Sequence, residues 1–325
     1  MDLEKVIYVA GHNGLVGSAL RKRLYEIGYS KVIYRTRQEL DLTNKTHVKE
    51  FFRDTQPTYV FLAAAKVGGI GINSKRPASF IKENLEISVN VISESYLAGV
   101  KRLLFFGSSC IYPRECAQPI KEEYLLTGPL EATNAPYAIA KIAGIEMCKG
   151  YRREYSCDFR AVMPTNLYGP GDRYDEESSH VIPAVIHKLH KAKMANIPSV
   201  KLWGTGRPLR EFLYSEDLAN AAIAVMNLSR SAYDSLAGES GFLNVGCGQD
   251  ILICDLVNLI KGVVGYEGII EWDDSQPSGT PRKLLDVSKI YQTGWRPSVD
   301  LREGLQLAYS DYLGRYGVAT KEEIA

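Results

Sequence analysis

The chain reads as an α/β protein, a doubly wound parallel sheet with a smaller C-terminal lobe closing over the sheet's carboxyl edge. Three observations predict this. Short continuous apolar runs alternate with helices of 3.6-residue period through the first half, the pattern of a parallel sheet covered on both faces. The first run ends in the glycine turn Gly11-His12-Asn13-Gly14-Leu15-Val16-Gly17. After Pro164 the alternation loosens into segments rich in Gly, Pro, Asp and Glu.

In chain order, residues 5–10 form the first strand and residues 15–27 a helix with Leu15, Ala19, Leu20 and Leu24 as its apolar positions. Residues 31–34 are the second strand and 45–54 the second helix. Strand three at 58–62 is followed by a helix over 77–98, strand four at 102–106, a long helix over 137–155 and strand five at 159–163. Right-handed crossovers place these helices on both faces of the sheet. Residues 168–179 suit a loop leaving the sheet, 181–192 a helix, 200–203 a strand and 215–228 a capped helix. Past Asn244 helices and short strands alternate less regularly, and 314–325 reads as a polar tail. The expected organisation is a sheet domain over 1–165 and 213–245, a lobe over 166–212 and 246–315, and a tail over 316–325. Ligands of open α/β sheets bind at the carboxyl ends of the strands, which is where such a lobe belongs.

The 325 residues are 45% hydrophobic and 24% charged, enough apolar material for a sizeable core. With 39 basic and 38 acidic side chains the net charge is +1, so no global field recruits nucleic acid or an anionic membrane. Any anion site has to be a local cluster. The apolar run after Lys5 is too short for a secretory leader, and no stretch approaches the ~20 apolar residues that cross a bilayer. The six cysteines show no CxxC pairing and read as reduced thiols. His12, His187 and His190 form no metal-ligand pattern. A cytoplasmic enzyme without a metal, acting on a small molecule, is the class these features leave.

A strand that turns sharply into a helix needs glycine where the backbone approaches a pyrophosphate and where helix packs on strand. The helix then offers unpaired N–H groups and its positive dipole end to phosphate. Gly11 to Gly17 stand in that context, at the end of the first strand and the start of the first helix, and predict a dinucleotide site. Its identity is decided about 20 positions on, where an acidic residue would hold a free ribose 2′-hydroxyl and an arginine a 2′-phosphate. That stretch is Tyr34-Arg35-Thr36-Arg37, with no carboxylate before Glu39. A guanidinium matches phosphate geometry, so NADP(H) is favoured, with Arg37 as its marker. Asp41, Leu42 and the small residues Ala63, Ala64 and Ala65 lie at the next strand ends, where adenosine would rest on backbone.

Tyr137 and Lys141 stand at i and i+4, neighbours on one helical face. A phenol of pKa ~10 is a poor proton carrier at neutral pH. A nearby ammonium favours the phenolate and lowers that pKa toward the working range, and Lys141 is also placed to hydrogen-bond the nicotinamide ribose of the cofactor. Strand four, about thirty residues earlier in the chain, ends in Gly107-Ser108-Ser109-Cys110-Ile111-Tyr112, and a serine there reaches the oxygen that the tyrosine would serve.

Together the glycine turn, the serine-rich turn and the YxxxK pair resemble the extended short-chain dehydrogenase/reductases, enzymes built on the Rossmann fold. Longer strings narrow the likeness: Ala65-Lys66-Val67-Gly68-Gly69-Ile70, the serine turn through Pro113, Pro136 to Gly144, and Met163-Pro164-Thr165-Asn166-Leu167-Tyr168-Gly169-Pro170. With Cys110 and Ser179-His180-Val181-Ile182-Pro183, they closely resemble the GDP-L-fucose synthase family from the first strand to about Asp286. That resemblance implies an NADPH-dependent 3,5-epimerase and 4-reductase acting on GDP-4-keto-6-deoxy-D-mannose. It implies Tyr137 as proton donor to the C4 oxygen, Ser108 polarising that oxygen and Lys141 tuning the tyrosine. Cys110 and His180 become the acid/base pair at C3 and C5. Pro164, Thr165, Asn166, Leu167 and His180 become nicotinamide-side contacts, and Lys188, Trp203 and Arg210 contacts to the GDP-sugar. A homodimer is implied as well.

The residues alone leave alternatives. Cys110 could be a small buried hydrophobe, His180 a cap for the helix at 181, Lys188 part of a solvated basic run and Trp203 core. An NAD-recycling sugar-nucleotide 4-epimerase or 4,6-dehydratase is the second enzymatic reading. Arg37 opposes it, and a dehydratase would want an acidic pair where Ser109 and Cys110 stand. A non-catalytic dinucleotide sensor would need the glycine turn but not the tyrosine, lysine and serine. Two departures from the family pattern are Asn13, where some members carry arginine, and Ser278, where members often carry an acidic substrate contact.

Overall fold

The computed structural model describes residues 1–175, 179–275 and 280–317. The chain opens with β1 (Ile7–Ala10), α1 (Leu15–Ile27), β2 (Val32–Ile33), α2 (Lys45–Thr55) and β3 (Tyr59–Leu62). It continues with α3 (Ile70–Lys75), α4 (Pro77–Leu97), β4 (Arg102–Phe106), α5 (Ala135–Tyr155) and β5 (Phe159–Pro164). β1, β3 and β5 are buried at every residue, as sheet strands covered on both faces must be. The six-stranded sheet runs β2-β1-β3-β4-β5-β9 with every pair parallel. α4 packs against α2 and α5, and α1 against α7. The strand order reverses between β1 and β3, so their carboxyl ends frame the crevice where ligands of such sheets bind.

After β5 come β6 (Asn166–Tyr168), α6 (Val181–Met194), β7 (Ser199–Trp203), β8 (Leu209–Tyr214), α7 (Ser215–Asn227), α8 (Arg230–Ala237) and β9 (Leu243–Val245). The chain then forms β10 (Asp250–Leu252), α9 (Ile253–Val264), β11 (Ile269–Asp273), β12 (Arg282–Lys283), α10 (Ser288–Tyr291) and α11 (Leu301–Tyr316). β8 is the axis of the lobe: β6 and β12 pair with it in parallel and β10 antiparallel. β7 and β11 make a separate parallel pair.

Two hydrophobic cores result. The larger surrounds the parallel sheet and takes in Leu285, Ile290 and Trp295. The smaller joins Ile182, Ile186 and Leu189 of α6 to Leu256 and Ile260 of α9 and to Leu305 and Tyr312 of α11.

The expected strands and helices are present, with shifted ends. α5 begins at Ala135 because Pro136 fits a first helical turn. Residues 314–316, read as tail, belong to α11. Asp300 caps this helix through the Glu303 N–H at 2.8 Å, and Arg315 pairs with Asp311 one turn earlier. Residues 318–325 of the expected tail lie outside the described residues. Among the described residues no helix is long and apolar enough to cross a membrane.

Candidate active site

The glycine turn excludes a side chain at two of its three glycines. Gly11 has φ +85°, and a Cβ there would lie 2.7 Å from the Ala64 backbone at the end of β3. A Cβ on Gly17 would stand 2.1 Å from the Gly11 carbonyl oxygen, so α1 packs on the strand only with glycine at both places. Gly14 is the N-cap of α1, no side chain caps the helix, and its first turn carries no acidic residue. The free N–H groups of Leu15, Val16 and Gly17 therefore face the crevice end of β1, and the cradle fits a dinucleotide pyrophosphate.

His12 is buried and packs tilted against Tyr34, with ring centroids 4.5 Å apart, while its ring also bonds the Arg35 backbone. The glycine turn is thus tied to the segment that selects the dinucleotide. Glu39, the nearest carboxylate, is consumed within its own turn by the Thr36 N–H at 2.7 Å and the Thr36 hydroxyl at 2.8 Å. Arg37 is exposed and pairs with Glu83 at 3.4 Å, and Glu83 also holds Lys66. Asp41 accepts from the Thr43 backbone and hydroxyl, which hold its carboxyl below the usual range. Leu42 is buried, with its carbonyl bound by Asn90. Asn13 carries no contact that explains its choice.

At the end of β4, Ser108 starts a single 3₁₀ turn that brings Cys110 beside it; the Cys110 N–H reaches the Ser108 Oγ at 3.5 Å. Ser108 also hydrogen-bonds Tyr137, whose ring meets Phe80 edge-on at 6.5 Å. Tyr137, Ser108 and Cys110 are half-buried, each keeping some surface open. Lys141 behaves differently from its expected role. Its ammonium donates to the Phe106 carbonyl at 2.8 Å and lies 5.8 Å from the Tyr137 ring centroid. Burial lowers Lys141 to about 8 and pushes the Tyr137 phenol up. What opposes that rise is the Ser108 hydrogen bond, not Lys141. The i, i+4 spacing leaves the ammonium over the Tyr137 ring, while the strand-end carbonyl takes its hydrogen bond.

A second group of candidate residues lies in the lobe. His180 occupies the N-cap position of α6 but makes no side-chain capping bond, so it does not serve as a cap. It lines a cleft with Asn166, Leu167, Ile182, Arg210 and Phe212, and surrounding protein lowers its pKa toward the neutral imidazole. Pro164 ends β5, and Thr165 is buried with its N–H on the Val245 carbonyl at 2.9 Å. Lys188 and Trp203 stand farther along α6 and β7. Lys188 Nζ donates to the Lys201 carbonyl at 2.6 Å, and Trp203 is 72% exposed, a surface indole and not core. Ser278 lies outside the described residues. Among the described residues no group of three His, Cys, Asp or Glu side chains could hold a metal.

Two residues escaped the sequence reading. Lys283 of β12 is in register with Arg210 of β8, so their side chains share a face. Glu211 is fully buried and accepts from the Gly248 N–H at 2.7 Å and the Leu285 N–H at 3.1 Å. Its carbonyl takes the Thr165 hydroxyl at 3.2 Å and the Asn166 amide at 2.8 Å. Glu211 therefore fixes Arg210 against both β12 and the loop after β5. The β8–β12 pairing brings Lys283 to the site, the contacts with residues 165, 166, 248 and 285 bring Glu211, and no local spacing announces either.

The fold and this geometry have counterparts. Residues 7–236 match the model of the NAD dependent epimerase/dehydratase family. A probable GDP-L-fucose synthase 1 of Oryza sativa subsp. japonica is 51% identical over 94% of this chain and 92% of its own length. The GDP-L-fucose synthase of Escherichia coli K12 is 47% identical over 94% of this chain and 96% of its own length. Among solved structures, a GDP-mannoheptose C4 reductase from Campylobacter jejuni with NADP bound superposes with a TM-score of 0.87 at 38% identity, covering 96% of this chain and 99% of its own.

Proposed function

The chain belongs to the NAD-dependent epimerase/dehydratase family, and from that membership we propose an NADPH-dependent epimerase-reductase that converts GDP-4-keto-6-deoxy-D-mannose to GDP-L-fucose. The observation that carries this reading is the thiol. Cys110 sits beside the Ser108–Tyr137 pair that would hold a substrate carbonyl oxygen. A simple reductase has no use for a second proton carrier there, and a 4,6-dehydratase would want carboxylates. The NAD-recycling 4-epimerase reading is not favoured, because Arg35 and Arg37 stand where it would want a carboxylate and Glu39 is bound into its turn.

The cofactor is NADP(H). The N–H groups at the start of α1 would take its pyrophosphate, Arg37 its 2′-phosphate, and Pro164 to Leu167 its nicotinamide side. When bound, it supplies the hydride that reduces C4. The rest is proton work by this chain. Hydrogens on C3 and C5 are acidic because their electron pair delocalises into the C4 carbonyl. Cys110 and His180 exchange those protons, and the Ser108 and Tyr137 hydroxyls donate to the enolate oxygen that forms. The phenol, held protonated by burial, then gives its proton to the C4 oxygen on reduction. Lys188, Trp203 and Arg210 would hold the GDP portion.

A cytoplasmic homodimer completes the proposal. It is supported by the unpaired cysteines and by apolar surface along α4 and α5, where Val89, Tyr96, Leu97, Ile139 and Tyr155 are exposed. The test is direct: NADPH absorbance is expected to fall when GDP-4-keto-6-deoxymannose is added. In deuterated water Cys110→Ser is expected to block deuterium entry at C3 and C5 while leaving NADPH binding intact. Normal exchange in that variant removes Cys110 from the mechanism.

A further inference from the structure

The site contains a cation that the reaction, as described, does not use. Lys283 lies on β12 between two elements that matter. On one side β12 pairs with β8, setting Lys283 in register with Arg210, which lines the cleft beside His180. On the other, Leu284 pairs with residues 118 and 120, eight to ten positions beyond Cys110. The Leu284 N–H donates to Gln118 Oε1 at 2.9 Å, and the Ile120 N–H to the Leu284 carbonyl at 2.7 Å. Because registered neighbours point to one face of a sheet, Lys283 shares the cleft face with Arg210. It is half-buried, and among the described residues it makes no ion pair. The adjacent Arg282, by contrast, is neutralised by Asp250 at 2.5 Å.

We propose that Lys283 is a positioning residue whose ammonium is the counter-charge of the Cys110 thiolate during epimerisation. The proposal rests on the reading of Cys110 as a proton carrier. In either direction of transfer that sulfur must pass through the thiolate. As the C–H bond breaks, the proton joins sulfur and the electron pair moves to the C4 oxygen; the reverse leaves sulfur anionic again. A thiolate in a half-buried cleft is costly unless a cation faces it.

The groups facing Cys110 are few. Burial raises its thiol, and Ser108, Lys283 and Lys141 oppose that rise, in that order. Lys141 is bound to the Phe106 carbonyl, and Tyr137 is a neutral phenol with no charge to offer. Around Lys283, burial and Arg210 lower its pKa, while Cys110, Glu131 and Cys116 support the charge. A lysine pressed against an arginine, with the thiol first among the groups that favour its charge, is placed to stabilise that thiol's anion.

The test reads the thiol itself. Iodoacetamide labelling of Cys110 in the full chain, followed peptide by peptide across pH with Cys110→Ser as blank, gives its ionisation. Lys283→Gln is expected to shift the profile to higher pH and to slow labelling at pH 7.5 about tenfold, one unit of pKa. Lys283→Arg, which keeps the charge, is expected to restore the wild-type profile. An unchanged profile in Lys283→Gln, with only KM for the GDP-sugar raised, overturns the proposal and makes Lys283 a substrate contact. Should the glutamine variant not fold, an arginine variant whose profile is shifted as far as in Lys283→Met overturns it equally. Normal deuterium exchange by Cys110→Ser would refute the role of the thiol and leave the labelling result standing.

Discussion

The two walls of the site are made in different ways. The sheet wall holds Gly11, Gly17, Ser108, Cys110, Tyr137 and Lys141 on strand ends and two helices that the parallel sheet brings together. The lobe wall gathers His180 at the start of α6, Arg210 on β8 and Lys283 on β12; the β8–β12 register joins the last two, and Glu211 ties β8 to residues 165, 166, 248 and 285. On the proposed reading the sheet wall carries the carbonyl and hydride chemistry, whereas the lobe wall adds His180 and Lys283 to the proton work and holds the GDP portion through Arg210.

If that division holds, the largest separable effect belongs to the lobe. Arg210→Ala is expected to raise KM for the GDP-sugar on the order of thirtyfold, as loss of a charge-assisted phosphate contact does, with NADPH affinity unchanged. Titrations of both ligands check it, and equal loss of both would mean that the two walls are one unit. A smaller effect is expected on the sheet side. Arg37→Ala should weaken NADPH about tenfold and NADH hardly at all, measured by fluorescence titration; the exposed guanidinium already shares Glu83, which limits the loss. Equal weakening of both would remove the 2′-phosphate argument.

The smallest expected effect concerns stability where the lobe joins α11. Asp172 is buried with one carboxyl oxygen unbonded, and burial raises its pKa to about 6. A carboxyl whose folded pKa lies above its unfolded value of about 3.8 loses stability as pH rises through the folded value. Asp172→Asn is therefore expected to be stabilising by about 1 kcal/mol at pH 8 and neutral at pH 4, in melts at both pH values. A larger gain at pH 4 would contradict the sign.

The same division explains what the sequence revealed. The glycine turn, the serine turn and the Tyr137–Lys141 pair are periodic or contiguous, so spacing announced them and the fold followed from alternation. Spacing did not announce which partner Lys141 takes, because the Phe106 carbonyl belongs to a strand end thirty-five residues away. Lys283 and Glu211 were illegible for a stronger reason. Their roles arise from contacts between segments far apart in the chain, and an isolated Pro-Arg-Lys or Arg-Glu-Phe carries no trace of them. His180 and Trp203 were found through family resemblance and not through physics.

The central claim is that one pair of hydroxyls, Ser108 and Tyr137, serves both halves of the reaction by holding the same C4 oxygen. Tyr137→Phe in deuterated water, followed by NADPH absorbance and by the mass of the recovered sugar, tests it. Both NADPH oxidation and deuterium entry at C3 and C5 are expected to fall at least a hundredfold, about the scale of a lost acid/base donor. Oxidation lost while exchange continues at the wild-type rate would contradict the claim, since the enolate would then be held elsewhere.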